Sequence, residues 1–363
     1  MKKCSYCDLN SHVRSEYDYE EFLKLIIREI EWWNRKKPNL SVKTIFFGGG
    51  TPSLMKAEWI KSIIDKIKLI WDCTQLTEVT IEANPAITEC TDLAALKWAG
   101  INRISFGVQS FSNNILKVLG RTHDAEQALG LIEAAQNIFD EVSIDLMYAI
   151  PGQTLDDIQL ALDHIINKKL THVSWYALTI HENTEFGNLY KMGKLKLPED
   201  DIFCDTYWLI HNALTKVGMI HYEISNFSYP QYMSKHNMIY WDYQNFLGIG
   251  PGAHSRIHLD SATWQVANYK LPEKWGNSVI DKGNGIEVFE PINPETMQEE
   301  EFIMKMRTYK GLNADEVHRL IQDKKKIDSM LSINCINRND SGGISLTAEG
   351  FLKYNSVIRY LYL

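Results

Sequence analysis

An α/β fold is predicted here: a parallel sheet curled into a partial barrel, with a smaller α-rich unit behind it. Two observations point there. Short apolar runs recur at 43–47, 78–83, 103–108, 141–148 and 172–178. They stand about 25 to 38 residues apart, enough for one helical crossover each. The stretches between them, 57–70, 88–98, 124–139 and 155–166, carry apolar residues at helical intervals, as in Ile60, Ile63, Ile64 and Ile67.

The second observation separates a barrel from an open sheet. In 78–83, Thr80 and Glu82 share one face, and Val79, Ile81 and Ala83 the other. In 103–109, Ser105, Gly107 and Gln109 oppose Ile104, Phe106 and Val108. In 142–148, Ser143, Asp145 and Met147 oppose Val142, Ile144, Leu146 and Tyr148. Strands buried by helices on both faces should be apolar throughout. A barrel with helices outside and a ligand-filled or hydrated lumen inside gives this alternation.

Further elements follow in order. Gly100 is expected to cap the 88–98 helix in a left-handed conformation. Stretch 24–37 carries Lys24, Arg28, Glu29, Glu31, Arg35, Lys36 and Lys37, and reads as a solvated helix face. After Leu178 the rhythm breaks. A helix over 198–217 stops at Gly218, and 245–255 is Gly-rich and irregular. The expected division is a barrel over 1–255, a connecting segment over 256–289 and a C-terminal domain over 290–363. That last unit reads as helices over 295–308, 313–323, 327–331 and 348–361. Ser345-Leu346 makes a short strand and Thr347 a helix N-cap. Helices with a short β-element suggest a winged-helix-like module.

Composition narrows the function. Lys+Arg 38 against Asp+Glu 46 gives a net charge of −8, opposite to the basic footprint of a nucleic-acid binder. No apolar run reaches the roughly 18 residues of a membrane span, and no secretory h-region follows Met1. A cytoplasmic chain with reduced thiols is therefore expected. Cys73, Cys90, Cys204 and Cys335 stand singly and read as small buried apolar residues. Cys4-Ser5-Tyr6-Cys7 is a CxxC that fits zinc, a redox disulfide or half of an iron–sulfur site. Gly48-Gly49-Gly50-Thr51-Pro52 ends the first run. Its glycines let backbone approach a ligand, but no Lys follows to make it a phosphate loop.

Taken together these residues resemble the radical S-adenosylmethionine (SAM) enzymes. Their mark is CxxxCxxC with an aromatic residue before the last Cys, the place of Tyr6, and a GGGTP segment. Further motifs resemble the oxygen-independent coproporphyrinogen oxidase-like group. They are Ile81-Glu82-Ala83-Asn84-Pro85, Gly107-Val108-Gln109-Ser110-Phe111, Leu119-Gly120-Arg121-Thr122-His123, the 145–153 segment and Tyr222-Glu223-Ile224-Ser225-Asn226-Phe227. The resemblance implies a (β/α)6 barrel and a [4Fe-4S] cluster on Cys4 and Cys7. It assigns SAM contacts to Tyr6, Gly49, Gly50, Thr51, Glu82, Gln109, Arg121, Asp145 and Ala177. Carboxylates suit the ribose hydroxyls and ammonium of SAM, and Arg121 suits a carboxylate.

The chain departs from the pattern in two places. The first Cys of CxxxCxxC would fall immediately ahead of Met1, as would the barrel's first strand. A misassigned start is the favoured explanation, a degenerate gene the alternative. As written, the chain is expected to hold the cluster weakly or not at all. Second, coproporphyrinogen oxidases resemble CxxxCxFCxC, and Leu9 stands where the extra Cys would be. Cys7-Asp8-Leu9 and His236-Asn237-Met238-Ile239-Tyr240-Trp241, an HNxxYW motif, instead resemble the haem-chaperone (HemW) group. That implies binding of haem and SAM and transfer of haem to an acceptor protein such as a membrane haem protein, so that the chain would meet a membrane peripherally, through that acceptor. Coproporphyrinogen decarboxylation is the alternative activity. His236, Tyr240 and Trp241 are the expected haem contacts, Met238 a soft ligand, and His221, His254 and His258 alternative ligands. Packing near the barrel end is the other reading of His236 and Trp241.

Overall fold

The computed structural model describes residues 3–12, 18–86 and 92–362. Helix α1 (Tyr19–Lys36) leads into the parallel strands β1 (Thr44–Phe47), β2 (Glu78–Ala83), β3 (Arg103–Gln109), β4 (Glu141–Tyr148) and β5 (His172–Ala177). Between them run α2 (Ala57–Ile70), α3 (Leu93–Ala99), α4 (Asn113–Val118), α5 (Ala125–Gln136) and α6 (Leu155–Asn167). Then come α7 (Glu185–Lys191), α8 (Asp200–Lys216) and an antiparallel pair, β6 (Ile220–Glu223) and β7 (Asn226–Ser228). The seven strands form one sheet in the order β1-β2-β3-β4-β5-β7-β6. Among the described residues β1 pairs only with β2 and is an edge.

The predicted alternation holds. Ile81, Ile104, Phe106 and Ile144 pack with Ile60, Ile64, Leu96, Ala128, Ile132 and Leu162 in the main core. The opposite face carries Thr80, Ser105, Ser143, His172 and Ser174, buried but polar. Pairing aligns Gly107 with Asp145 and Asp145 with Ser174, so these positions share the inner face. Gly100 closes α3 at φ +106°, as expected. Part of the predicted 88–98 helix, and Cys90 with it, lies outside the described residues.

Three expectations need correcting. Helix α1 is not merely a solvated face: it buries Ile26, Ile30 and Trp33, and Glu29 is 0% exposed. The Glu29 carboxylate accepts hydrogen bonds from the Gly250 and Gly285 N–H groups, Trp275 Nε1 and Asn268 Nδ2. A buried charge without such donors would be untenable. Those partners belong to the second correction. Residues 256–289 are no connector. After α9 (Lys235–Trp241) they form most of a three-stranded sheet, β8 (His254–Leu259), β9 (Ala262–Asn268) and β10 (Ile286–Pro291), with α10 (Pro272–Lys282). Ile257, Val266, Trp275 and Val279 join the main core. Third, among the described single cysteines Cys335 is buried, but Cys73 and Cys204 are half-exposed.

Toward the C-terminus the expected helices and the short strand form, a further strand pairs with that strand, and the last helix is broken. These elements are α11 (Pro294–Met306), α12 (Ala314–Leu320), α13 (Lys324–Ser332), β11 (Ile336–Arg338), β12 (Ile344–Leu346), α14 (Ala348–Leu352) and α15 (Tyr354–Tyr362). Lys353 divides the predicted last helix. Thr347 caps α14 by accepting from the Gly350 N–H. The unit has its own core around Phe302, Leu312, Ile336 and Val357, which Tyr207 of α8 also joins.

Candidate functional site

The polar strand faces converge at the C-terminal ends of β1 to β4, where barrel sites lie. Gly49, at φ +107°, adopts a left-handed conformation. Its N–H donates to Glu82 Oε2 at 3.1 Å. A Cβ on Gly48 would stand 2.6 Å from the Phe46 ring and 3.3 Å from the Glu82 carboxyl, so only glycine lets the loop lie this close. Gln109 ends β3 at φ 69°, in a register shift against β4. Ala149 follows β4 at φ 59°. Positive φ at two non-glycine positions stores backbone strain at one end of the sheet.

Two carboxylates face this space. Burial, then the neighbouring Asp145 charge, push Glu82 up to about 7. Burial likewise raises Asp145 to about 6, against hydrogen bonds from Ser174 and Ser105. Ser105 Oγ donates to Asp145 Oδ1 at 3.2 Å. A pair of carboxylates held partly protonated by desolvation is suited to receive a cation.

Arg121 ties the cysteine turn to the strand tips. Nη2 donates to Gly107 O at 2.5 Å and Asn84 Oδ1 at 3.2 Å, and Nη1 approaches Cys4 Sγ at 3.5 Å. Nε is buried with no partner among the described residues. That vacant donor fits a carboxylate-bearing ligand. Tyr6 also hydrogen-bonds Arg121, and burial raises its phenol. The turn itself is pinned by Ser5 N to Leu119 O at 3.4 Å and by Ser5 Oγ to Glu185 Oε2 at 2.8 Å.

The structure therefore brings together Cys4, Tyr6, Gly49, Glu82, Gln109, Arg121 and Asp145. Gly50 and Thr51 continue the same loop. Ala177 differs: its side chain packs against the main core. Sequence reasoning did not single out Asn84 or Ser174 as site residues. Asn84 lay within a quoted motif, and Ser174 is legible as the period-two neighbour of Tyr176. The donor set fits SAM. For a cluster the fit is partial, because Cys4 and Cys7 have no third His, Cys, Asp or Glu grouped with them among the described residues.

The HNxxYW residues sit beside this site, with His236 on the far side of the Phe46 ring that abuts Gly48, and Tyr240 within reach of the Glu82 charge. Ser234 caps α9, and the Lys235 and His236 N–H groups donate to the buried Glu78 carboxylate at 2.9 and 3.0 Å. His236 is committed on both ring nitrogens. Nδ1 shares a 2.7 Å hydrogen bond with Thr44 Oγ1, and Nε2 a 2.8 Å bond with Tyr240 OH. The ring stacks on Phe46 at 4.8 Å, and burial lowers it to about 4. Trp241 points another way, under the Arg307 guanidinium at 4.4 Å. His236, Tyr240 and Trp241 thus form no single flat face. His221 is buried, stacked on Phe227 at 4.1 Å and bonded to Ile224 O. His254 and His258 are exposed on β8.

The fold and this donor set define a radical SAM barrel, and a model of the Radical SAM superfamily matches residues 1–165. Coproporphyrinogen III oxidase (HemN) from Escherichia coli shares the fold: TM-score 0.81, 19% identity, 99% of this chain and 87% of that one. The protein named haem chaperone HemW from Bacillus subtilis (strain 168) is 32% identical over 361 residues, 98% of this chain and 94% of that protein. HemW of Lactococcus lactis is 37% identical over 251 residues, 69% of this chain and 65% of that protein. The chain belongs to the HemW family.

Proposed function

We propose that this chain is a haem chaperone: it binds haem and SAM and passes haem to an acceptor protein. The relation to a named haem chaperone across nearly the whole chain carries this reading. Leu9, where an oxidase-like sequence would carry a further Cys, supports it. SAM is assigned to Gly49, Gly50, Thr51, Glu82, Gln109, Arg121 and Asp145, with Tyr6 above the cysteine turn and the Ala177 backbone at the edge. Glu82 and Asp145 receive its positive groups, and Arg121 Nε its carboxylate. Cys4 and Cys7 are the cluster ligands this chain supplies. When bound, a cluster delivers an electron to the S–C bond of SAM.

Haem contact is assigned to α9. No described helix is long and apolar enough to cross a membrane. The chaperone is proposed to act in the cytoplasm and to meet a membrane only through its acceptor. Titration with ferric haem, followed at the Soret band, tests the reading. Saturable binding is expected. In an anaerobic assay, coproporphyrinogen III should give no protoporphyrinogen. Absence of haem binding, or robust decarboxylation, would overturn the proposal.

A further inference from the structure

The Phe46 ring stands between helix α9 and the glycine loop. Phe46 lies on the same face of β1 as Thr44, two residues earlier. Behind the ring is His236, stacked on it at 4.8 Å and 16°. That imidazole is fixed in turn by Thr44 Oγ1 and by the Tyr240 phenol. Tyr240 packs edge-on against Phe246 at 4.7 Å. In front of the ring is Gly48. A Cβ there would meet the ring edge at 2.6 and 3.0 Å and the Glu82 carboxyl carbon at 3.3 Å. Gly48 has no left-handed φ, so space and not backbone conformation demands a glycine.

Two contacts therefore set the height of the loop over β2. The Gly49 N–H draws it toward Glu82 Oε2, at 3.1 Å. The Phe46 ring, against Gly48, holds it off. The ring has little room to retreat, because the imidazole behind it is bonded on both nitrogens. A packed aromatic ring with two side-chain torsions is a stiff spacer.

We infer that Phe46 is a positioning residue for SAM: its ring, braced by His236, is the spacer through which α9 supports the glycine loop over Glu82. The inference rests on the SAM assignment made above and extends it to a residue that acts through Gly48 and Glu82.

Equilibrium dialysis of SAM against the full chain tests it, with wild type, Phe46→Ala, Gly48→Ala and the double variant. Far-UV circular dichroism establishes that each is folded. Phe46→Leu, which lacks the ring edge, repeats the comparison if Phe46→Ala does not fold. Phe46→Ala should weaken SAM binding about two- to tenfold, the cost of ordering a loop that has lost its spacer. Gly48→Ala should weaken it by a similar factor, by driving a methyl into the ring. In the double variant that methyl enters the space the ring has left, so the two losses should not multiply. Losses that multiply, or wild-type affinity in Phe46→Ala, would overturn the spacer.

The pH profile gives a reading that a merely structural ring would not move. Asp145, Tyr176, Tyr240 and the Gly49 N–H face Glu82. Burial raises Glu82 to about 7 and Asp145 to about 6. The positive groups of SAM select ionised carboxylates, so wild-type affinity should rise with pH through about 6 to 7. Phe46→Ala admits water to Glu82 and should draw the upper part of that rise downward. An unmoved profile would overturn the inference while leaving the SAM assignment intact. A wild-type chain that takes up no SAM would overturn that assignment itself.

Discussion

Glu82 and Glu78 stand on one strand, four residues apart, and are treated in opposite ways. At the upper end Glu82 accepts one backbone N–H, from Gly49, and faces a second carboxylate. At the lower end Glu78 accepts the Lys235 and His236 N–H groups and the Thr80 hydroxyl, with Arg103 Nη1 at 4.0 Å. Arg103 in turn donates to Glu141 at 2.6 Å and to Tyr232 O. His172 bridges Ser143 and Tyr222, at 2.7 Å to each. The lower end is a staple whose charges meet one another inside the chain. The upper end keeps strained backbone, an orphaned Arg121 Nε and two carboxylates that burial holds partly protonated. Arg103 Nη2 also lacks a partner among the described residues, so what separates the ends is how their carboxylates are met: by N–H groups and a guanidinium below, by burial and each other above.

The sharpest way to break this comparison is Arg103→Met. It leaves the buried Glu78 and the half-buried Glu141 without a cation and should cost about 3–5 kcal/mol in urea unfolding. A loss below ~1 kcal/mol would mean that the lower end is no staple. At the upper end, Asp145→Asn should spare stability and weaken SAM binding about 10- to 100-fold in equilibrium dialysis. That range corresponds to the about 1.5–3 kcal/mol of a charged hydrogen bond.

The pH dependence of stability separates the ends again. Glu82 and Asp145 hold their protons more tightly folded than unfolded, where carboxyls titrate near pH 4. Their contribution is thus full below about pH 4 and is lost as pH rises through about 6 to 7. Glu82→Gln should remove part of that loss, read as a flatter plot of urea midpoint against pH. An unchanged slope would contradict the assigned burial. The smallest effect is expected for Tyr240→Phe, which frees His236 Nε2 and should cost about 1 kcal/mol. No measurable change would remove the phenol from the lower framework.

Legibility followed the range of each interaction. Glu82, Gln109 and Asp145 could be picked out because strand period two is local and separates an apolar helix face from a polar inner one. Arg121 was legible only through its motif, since its partners Asn84 and Cys4 lie 37 and 117 residues away. Glu29 was misread because its charge pattern resembles a solvated helix. The donors that make it a buried hub come from 221 to 256 residues further on. Residues 256–289 show no such signal in the sequence, because antiparallel strands joined by a tight turn lack the crossover rhythm of the earlier sheet.

By itself, the sequence determined the strand–helix alternation, the polar inner face, the glycine loop and the cysteine turn, all properties of neighbouring residues and of strand and helix period. Only the tertiary structure decided how α9 is used. That helix carries an imidazole, a phenol, an indole and a thioether within a few positions, and sequence cannot rank them. Thr44 and Glu78 from the lower strand ends claim its first turn, and Arg307 from the C-terminal unit claims Trp241. A hydrogen bond already made inside the chain removes a side chain from the groups free to meet a ligand, and those bonds are set by which distant segments pack together.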